Sequence, residues 1–168
     1  MKRVGLILVI SMVAAGCGLI NSKTGGPASI TAVFSMTDTT GHADTTFAPG
    51  QNFDLTFLLI NTGSTTITYQ AGTRIPLIGF EILQGDSVIG GTIYAISNIA
   101  NPPPIKMQPG DTLRGECEAP IDLWATTPQH VPVHFALAPG SYVAKADYIP
   151  ITGATVTGPT SAGFRVHQ

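Results

Sequence analysis

Phe53-Asp54-Leu55-Thr56-Phe57-Leu58-Leu59-Ile60-Asn61-Thr62-Gly63-Ser64 is the stretch whose reading decides the fold. Phe53, Leu55, Phe57 and Leu59 recur at every second position, with Asp54 and Thr56 between them. A period of two is that of a strand with one face in a core. From Leu58 to Ile60 the alternate positions also turn apolar, which predicts cover on both faces near the strand's end. Asn61-Thr62-Gly63-Ser64 is a turn, with Gly63 free to take positive φ. Thr65 to Gln70 is then expected to return as the hairpin partner.

The same grammar extends in both directions. Upstream, Ser29 to Thr37 is a strand with Ile30, Ala32 and Phe34 on one face, followed by a polar stretch from Asp38 to the turn Ala48-Pro49-Gly50. Downstream, Ile78 to Leu83 meets Val88 to Ile96 across Gln84-Gly85-Asp86, a tight turn. Asn98 to Met107 contains Pro102-Pro103-Pro104, which have no N–H for a ladder, and is read as a loop or edge. Pro109-Gly110-Asp111 turns into Thr112 to Glu118, and residues 119–130 look irregular. Val131 to Leu137 is a short edge strand limited by Pro132. Ser141 to Ile149 carries Tyr142, Ala144, Ala146 and Tyr148 on one face, and Ala162 to His167 is a last strand. This predicts an all-β, Ig-like antiparallel β-sandwich of about 8 strands, with a closed barrel as the alternative.

Composition agrees. The 168 residues are 43% hydrophobic and only 11% charged, which argues against disorder and against a helical bundle. Nineteen glycines, 13 prolines and 21 threonines suit many short strands with frequent turns. The length suits one domain.

The N-terminus gives an address. Met1-Lys2-Arg3 is a basic start, and the apolar run Val4 to Ala15 is shorter than the roughly 20 residues of a membrane span. Ala14-Ala15-Gly16-Cys17 resembles the lipobox of bacterial lipoproteins, with Ala14 standing where Leu is more usual. The resemblance implies a signal peptide at residues 1–16, lipidation of Cys17 after cleavage, and a flexible lipidated tether over residues 17–28 ahead of the sandwich at 29–168. Several acyl chains on one Cys would hold stably in a bilayer, since each buried CH₂ adds about 0.8 kcal/mol. Gly18 follows where an Asp often marks inner-membrane retention, so a cell with two membranes would place the protein on the outer one. Loss of Lys2 and Arg3 leaves six basic against ten acidic residues, a net charge of −4. No basic cluster exists for nucleic acid or for charge-driven lipid binding.

Three segments resemble the intracellular proteinase inhibitor (BsuPI) family. They are Phe47-Ala48-Pro49-Gly50-Gln51-Asn52-Phe53-Asp54-Leu55-Thr56 running into Ile60-Asn61-Thr62-Gly63, then Met107-Gln108-Pro109-Gly110-Asp111-Thr112-Leu113, then Ala138-Pro139-Gly140-Ser141-Tyr142. The resemblance covers residues 45–150 and implies an Ig-like sandwich and a proteinase inhibitor, with no reactive site carried over. This chain departs from the family in having Gly79 where an acidic residue usually stands, a longer segment between Glu118 and Pro139, and a lipobox.

No residue is assigned a catalytic role, no metal ligand set is assigned and no cofactor is expected. Ser97 and Ser141 lack the setting of a nucleophile, and no Gly-x-Ser-x-Gly occurs. His130 and His134 flank Pro132, and in a strand four residues span about 13 Å, too far for one ion. Asp38, His42 and Asp44 lack the regular spacing of a calcium loop. Glu116 and Glu118 fall on an outer strand face, with Asp122 near them in sequence. Cys117, the one Cys left after lipidation, is expected on the inner face with Leu113, Gly115 and Ala119, its thiol pKa raised by the flanking carboxylates.

Two loops are the candidate partner-binding features: Pro102, Pro103, Pro104 and Ile105 in one, and Trp124 in the other. Rigid apolar loops lose little entropy on docking, and Trp is a frequent anchor, although a Trp124 that plugs one end of the sandwich is the plainer reading. The expectation is a lipid-anchored envelope sandwich that binds a secreted or envelope proteinase or another envelope protein. A non-inhibitory structural or accessory lipoprotein is the alternative.

Overall fold

The computed structural model describes residues 28–70, 74–96, 102–126, 132–134 and 136–168. The expected signal peptide, Cys17 and the expected tether up to residue 27 lie outside the described residues, as do Ser97 and His130.

Among the described residues, fifteen strands follow in chain order: β1 (Ser29–Asp38), β2 (Thr46–Phe47), β3 (Phe53–Asn61), β4 (Ile67–Tyr69), β5 (Arg74–Ile75), β6 (Ile78–Gln84), β7 (Ser87–Gly91) and β8 (Ala95–Ile96). After these come β9 (Ile105–Met107), β10 (Thr112–Ala119), β11 (Trp124–Thr126), β12 (Pro132–His134), β13 (Gly140–Tyr148), β14 (Thr155–Thr157) and β15 (Ser161–Val166). One sheet has the order β10-β3-β1-β14 and the other β12-β11-β7-β6-β13-β15-β2, so the architecture is a sandwich of two sheets. Two short pairs, β4 with β9 and β5 with β8, flank them.

The sandwich is Ig-like in two respects. The first strand of the fold is split between the sheets: β1 pairs antiparallel with β3, while β2 crosses over to lie parallel with β15. A tyrosine corner is present, in which the Tyr142 hydroxyl at the start of β13 donates to the Ala138 carbonyl at 2.7 Å.

The alternation expected from β3 is observed, with Phe53, Leu55, Phe57 and Leu59 buried. Leu58 and Ile60 are half-buried, so the second face is partly covered. Opposite them, Ile78, Phe80 and Ile82 of β6 and Tyr142, Ala144 and Ala146 of β13 complete the core. Aromatic rings fill one end of it and its middle. Phe47 stacks on Phe53 at 4.2 Å with Phe164 at 5.0 Å from Phe53, and Phe34 lies 6.1 Å from both Phe57 and Phe80. Each such ring contributes about 1.5–3 kcal/mol through burial.

Four expectations are corrected. The segment after Asn61 does not form a hairpin with β3; β4 pairs with β9, and β3 lies between β1 and β10. The cause is Asn61, a buried polar side chain that accepts from Gly63 N (3.1 Å) and donates to Thr65 O and Met107 O (both 2.9 Å). It ties the turn to β9 and sends the chain sideways. Second, the strand expected over Val88 to Ile96 is broken after Gly91, where Thr92 folds back with its hydroxyl accepting from Phe80 N at 2.8 Å. Third, Trp124 starts a strand rather than a loop, pairing with Gly91 and His134. Ile105, expected in the proline loop, belongs to β9 and faces Tyr69. Fourth, β2 lies in the stretch read only as polar and β14 in a stretch given no strand, and both pair parallel to a neighbour.

Candidate functional site

The second sheet's solvent face holds the most developed polar arrangement among the described residues. Its foundation is Gly79, between Ile78 and Phe80 on β6. A Cβ there would sit 2.2 Å from the Tyr94 hydroxyl, so only glycine lets the Tyr94 ring lie down on the strand. The register pairs Gly79 with Asp147 of β13, which places the Asp147 carboxylate beside that hydroxyl. Tyr94 donates to Asp147 Oδ2 at 2.7 Å and approaches the Asp147 carbonyl at 3.1 Å. Arg74 Nη2 donates to the same carboxylate oxygen at 2.6 Å, and its guanidinium lies 3.7 Å from the centre of the Tyr94 ring.

Burial, followed by the bond to Asp147 and the charge of Asp147, pushes the Tyr94 phenol well above its ordinary pKa. For Arg74, burial opposes the charge, yet Asp147 and Tyr94 outweigh it and hold the guanidinium's pKa above its ordinary value. Both protons are therefore held in place. The arrangement is a clamp that fixes β5 and residues 92–94 against β13, and it offers no side chain poised to move a proton.

Beside the clamp lies an open depression of about 440 Å³, lined by Tyr94, Asp147, Glu81, Thr92, Ile93, Val88 and Trp124 among others. Trp124 is half-buried there, a wall of the depression and not a plug in an end of the sandwich. Ile93 and Val88 are about half exposed, at 48% and 56%.

The second candidate is elsewhere. Pro103 and Pro104 are exposed and Pro102 half-buried, its carbonyl accepting from Gln70 Nε2 at 3.3 Å. Ile105 is half-buried and begins β9. None of these four residues lines the depression that holds Trp124, so the structure does not bring the two candidates into one site.

The other sequence candidates have plain roles. Asp38 Oδ1 accepts from Thr40 N (2.9 Å), Thr40 Oγ1 (2.7 Å) and His42 N (2.9 Å), and Asp44 Oδ1 accepts from Thr45 N and Thr46 N. These carboxylates are consumed in capping turn N–H groups. Among the described residues no group of three or more His, Cys, Asp or Glu is arranged to hold a metal ion. Glu116 pairs with Arg114, while Glu118 accepts from Asn52 Nδ2 at 2.9 Å. The Cys117 thiol is pushed up to about 12, chiefly by burial and then by Asp122, Asp54 and Glu118. The flanking carboxylates are thus the lesser cause, and Glu116 is not among them.

The sequence reading missed the clamp because Arg74, Tyr94 and Asp147 are far apart in the chain. A glycine between two bulky strand residues was the available signal.

The sequence matches no family model and no curated protein. Among solved structures it is similar to a β-glucosidase from Listeria innocua, at 8% identity and TM-score 0.39, covering 82% of this chain and 16% of the other. A β-glucosidase from Erythrobacter marinus gives 10% identity and TM-score 0.38, covering 82% and 15%. A β-glucosidase from intestinal bacteria gives 14% and 0.36, covering 86% and 16%. The chain spans about one-sixth of the length of these enzymes, and likenesses of this size carry no argument about activity.

Proposed function

We propose that this protein is a lipid-anchored envelope sandwich that binds a protein partner and makes no covalent change to it. Its specific form is inhibition of a secreted or envelope proteinase by the Pro102–Pro104 loop, following the family resemblance. Where the cell has two membranes, the anchor on Cys17 holds it to the outer one.

The observation that carries this reading is the way the loop is held. Pro103 and Pro104 stand exposed, while the chain on their C-terminal side is locked: Ile105 and Met107 pair with β4, Met107 is buried, and its carbonyl is bonded to Asn61. Three prolines fix their own φ, and a loop already fixed pays less entropy on docking. Asn61 also stands opposite Ile30, next to the residue where β1 begins, so the loop leaves the same end of the sandwich that the tether enters. Twelve tether residues at about 3.5 Å each reach about 40 Å. A partner at this loop therefore works close to the bilayer.

The test combines cross-linking of the full-length lipoprotein in its own cells with an assay of purified protein against envelope proteinases. A proteinase as the main partner, inhibited by the native chain and not by Pro103→Gly/Pro104→Gly, is the expected result. No inhibition at high micromolar concentration removes the inhibitor form. Cross-linking to assembly components would instead support a non-inhibitory accessory lipoprotein.

A further inference from the structure

The depression beside the clamp is shaped by one row of the second sheet's register. Gly91 of β7 pairs with Trp124 of β11 on one side and with Glu81 of β6 on the other. All three therefore face outward, and Trp124 and Glu81 stand about 9–10 Å apart with only a glycine between them. A Cβ at Gly91 would lie 3.1 Å from the Phe80 carbonyl and 3.8 Å from Glu81 Cγ, so the glycine keeps the floor bare. The result is a slot with an aromatic wall, a carboxylate wall and about 440 Å³ of open space, within the size range of small-ligand sites.

The chemistry of the lining selects the occupant. Two carboxylates line the depression, Glu81 and Asp147, diagonal neighbours on β6 and β13. Each has a cation beside one oxygen: Lys145 Nζ is 3.6 Å from Glu81 Oε2, and Arg74 Nη2 is 2.6 Å from Asp147 Oδ2. Their charge is thus matched within the chain, while the second oxygen of each can still accept a hydrogen bond. Thr92 adds a donor, because its oxygen accepts from Phe80 N and its own proton is left to give. Trp124, Val88 and Ile93 supply apolar surface beside these groups. An apolar ligand would cover the carboxylates without bonding them, and an anion would be repelled. A cation would compete with Lys145 and Arg74 for charge already matched. A ring with hydroxyls at its edge and C–H groups on its faces suits every part of the lining.

We propose that this slot binds a neutral saccharide, one pyranose ring lying against Trp124 with its hydroxyls bonded to Glu81, Asp147 and Thr92. Because the depression is open, that ring can be one unit of a longer glycan whose other units run out over the sheet. The slot shares no residue with the proline loop, so it stands whether or not the chain binds a proteinase.

Trp124 is the only tryptophan of the chain, and its emission reports this slot alone. The full-length protein in detergent is titrated with cellotetraose, maltotetraose, xylotetraose and chitotetraose, and with their monosaccharides. A saturable change in emission is expected from at least one tetramer, with half-saturation on the order of 1 mM, the strength of a few hydrogen bonds and one stacked face. Tighter binding of the tetramer than of its monosaccharide identifies a glycan chain; equal binding identifies a free sugar at the same site. Glu81→Gln should weaken binding about tenfold, and Trp124→Phe, followed by calorimetry, by at least as much. Glu116→Gln, on the other sheet, should leave it unchanged, with thermal unfolding of all three variants close to that of the native chain. No saturable response to any of these sugars at tens of millimolar overturns the proposal, as does a response that Glu81→Gln leaves intact. A response to polylysine in place of the sugars would make the slot a reader of cations and overturn it equally.

Discussion

The two faces of β6 and β13 are made from alternate residues of the same two strands, and they are built to different ends. Inward, Ile78, Phe80 and Ile82 lie beside Tyr142, Ala144 and Ala146, all buried in one hydrophobic core. Outward, Glu81, Leu83, Val143 and Lys145 keep partial or full exposure. The inner face is complete within one chain. The outer face has its apolar side chains in one row and its charges in the next, and a solvated sheet face has no need of that separation. The lesson is that the inner face is closed by the opposite sheet, while the outer face is covered only at its Gly79–Asp147 end, by Tyr94 and Arg74.

The sharpest way to break this contrast is to truncate one residue on each side. Phe80→Ala empties a buried site that a ring from β1 reaches, and a loss of about 3–5 kcal/mol is expected in denaturant unfolding. Val143→Ser, on the next strand but facing out, should change stability by no more than about 0.5 kcal/mol. Similar stability losses from both would mean that the outer row is part of the core.

Gly79 tests the boundary between the two faces, because it points outward yet is buried under Tyr94. Gly79→Ala puts a methyl group where the phenol lies. Lifting Tyr94 breaks its bonds to Asp147 and opens the wall of the depression, at an expected cost of about 1–3 kcal/mol. Tyr94→Ala in the same chain should recover part of that loss, since it removes the closer of two clashes and leaves Thr92 Cβ at 2.8 Å. Failure of the second change to rescue the first would show that Thr92 and the strand, not Tyr94, reject a side chain at position 79.

What could be read from sequence follows the range of the interaction. The strands with strict alternation, β3 and β13, needed only the pattern of side chains along one segment, and Gly85 marked the β6–β7 turn locally with φ of 59°. The route from β3 to β4 was not legible, since it depends on where the Asn61 amide finds a carbonyl 46 positions away. Trp124 gave no warning that it begins a strand, because its pairing residues, Gly91 and His134, are supplied by other segments. The clamp joins Arg74 to Asp147 across 73 positions. Long-range polar contacts of this kind carry no period, and a lone glycine in β6 was their single local trace.

The smallest effect concerns Cys117, whose thiol lies half-buried on the inner side of β10, with outward-facing neighbours on either side. Burial and the charges of Asp122, Asp54 and Glu118 push its pKa from 9.0 up to about 12. Since the folded chain binds that proton more tightly than the unfolded chain, the thiol's contribution is fully present below pH 9.0 and declines as pH rises toward 12. Labelling of the native protein with a thiolate-selective reagent at pH 8 should therefore be far slower than labelling of the unfolded protein, because the thiolate is the reacting form. Rapid native labelling would mean that Cys117 behaves as an outer-face residue, and the division between the faces would not extend to the edge of the first sheet.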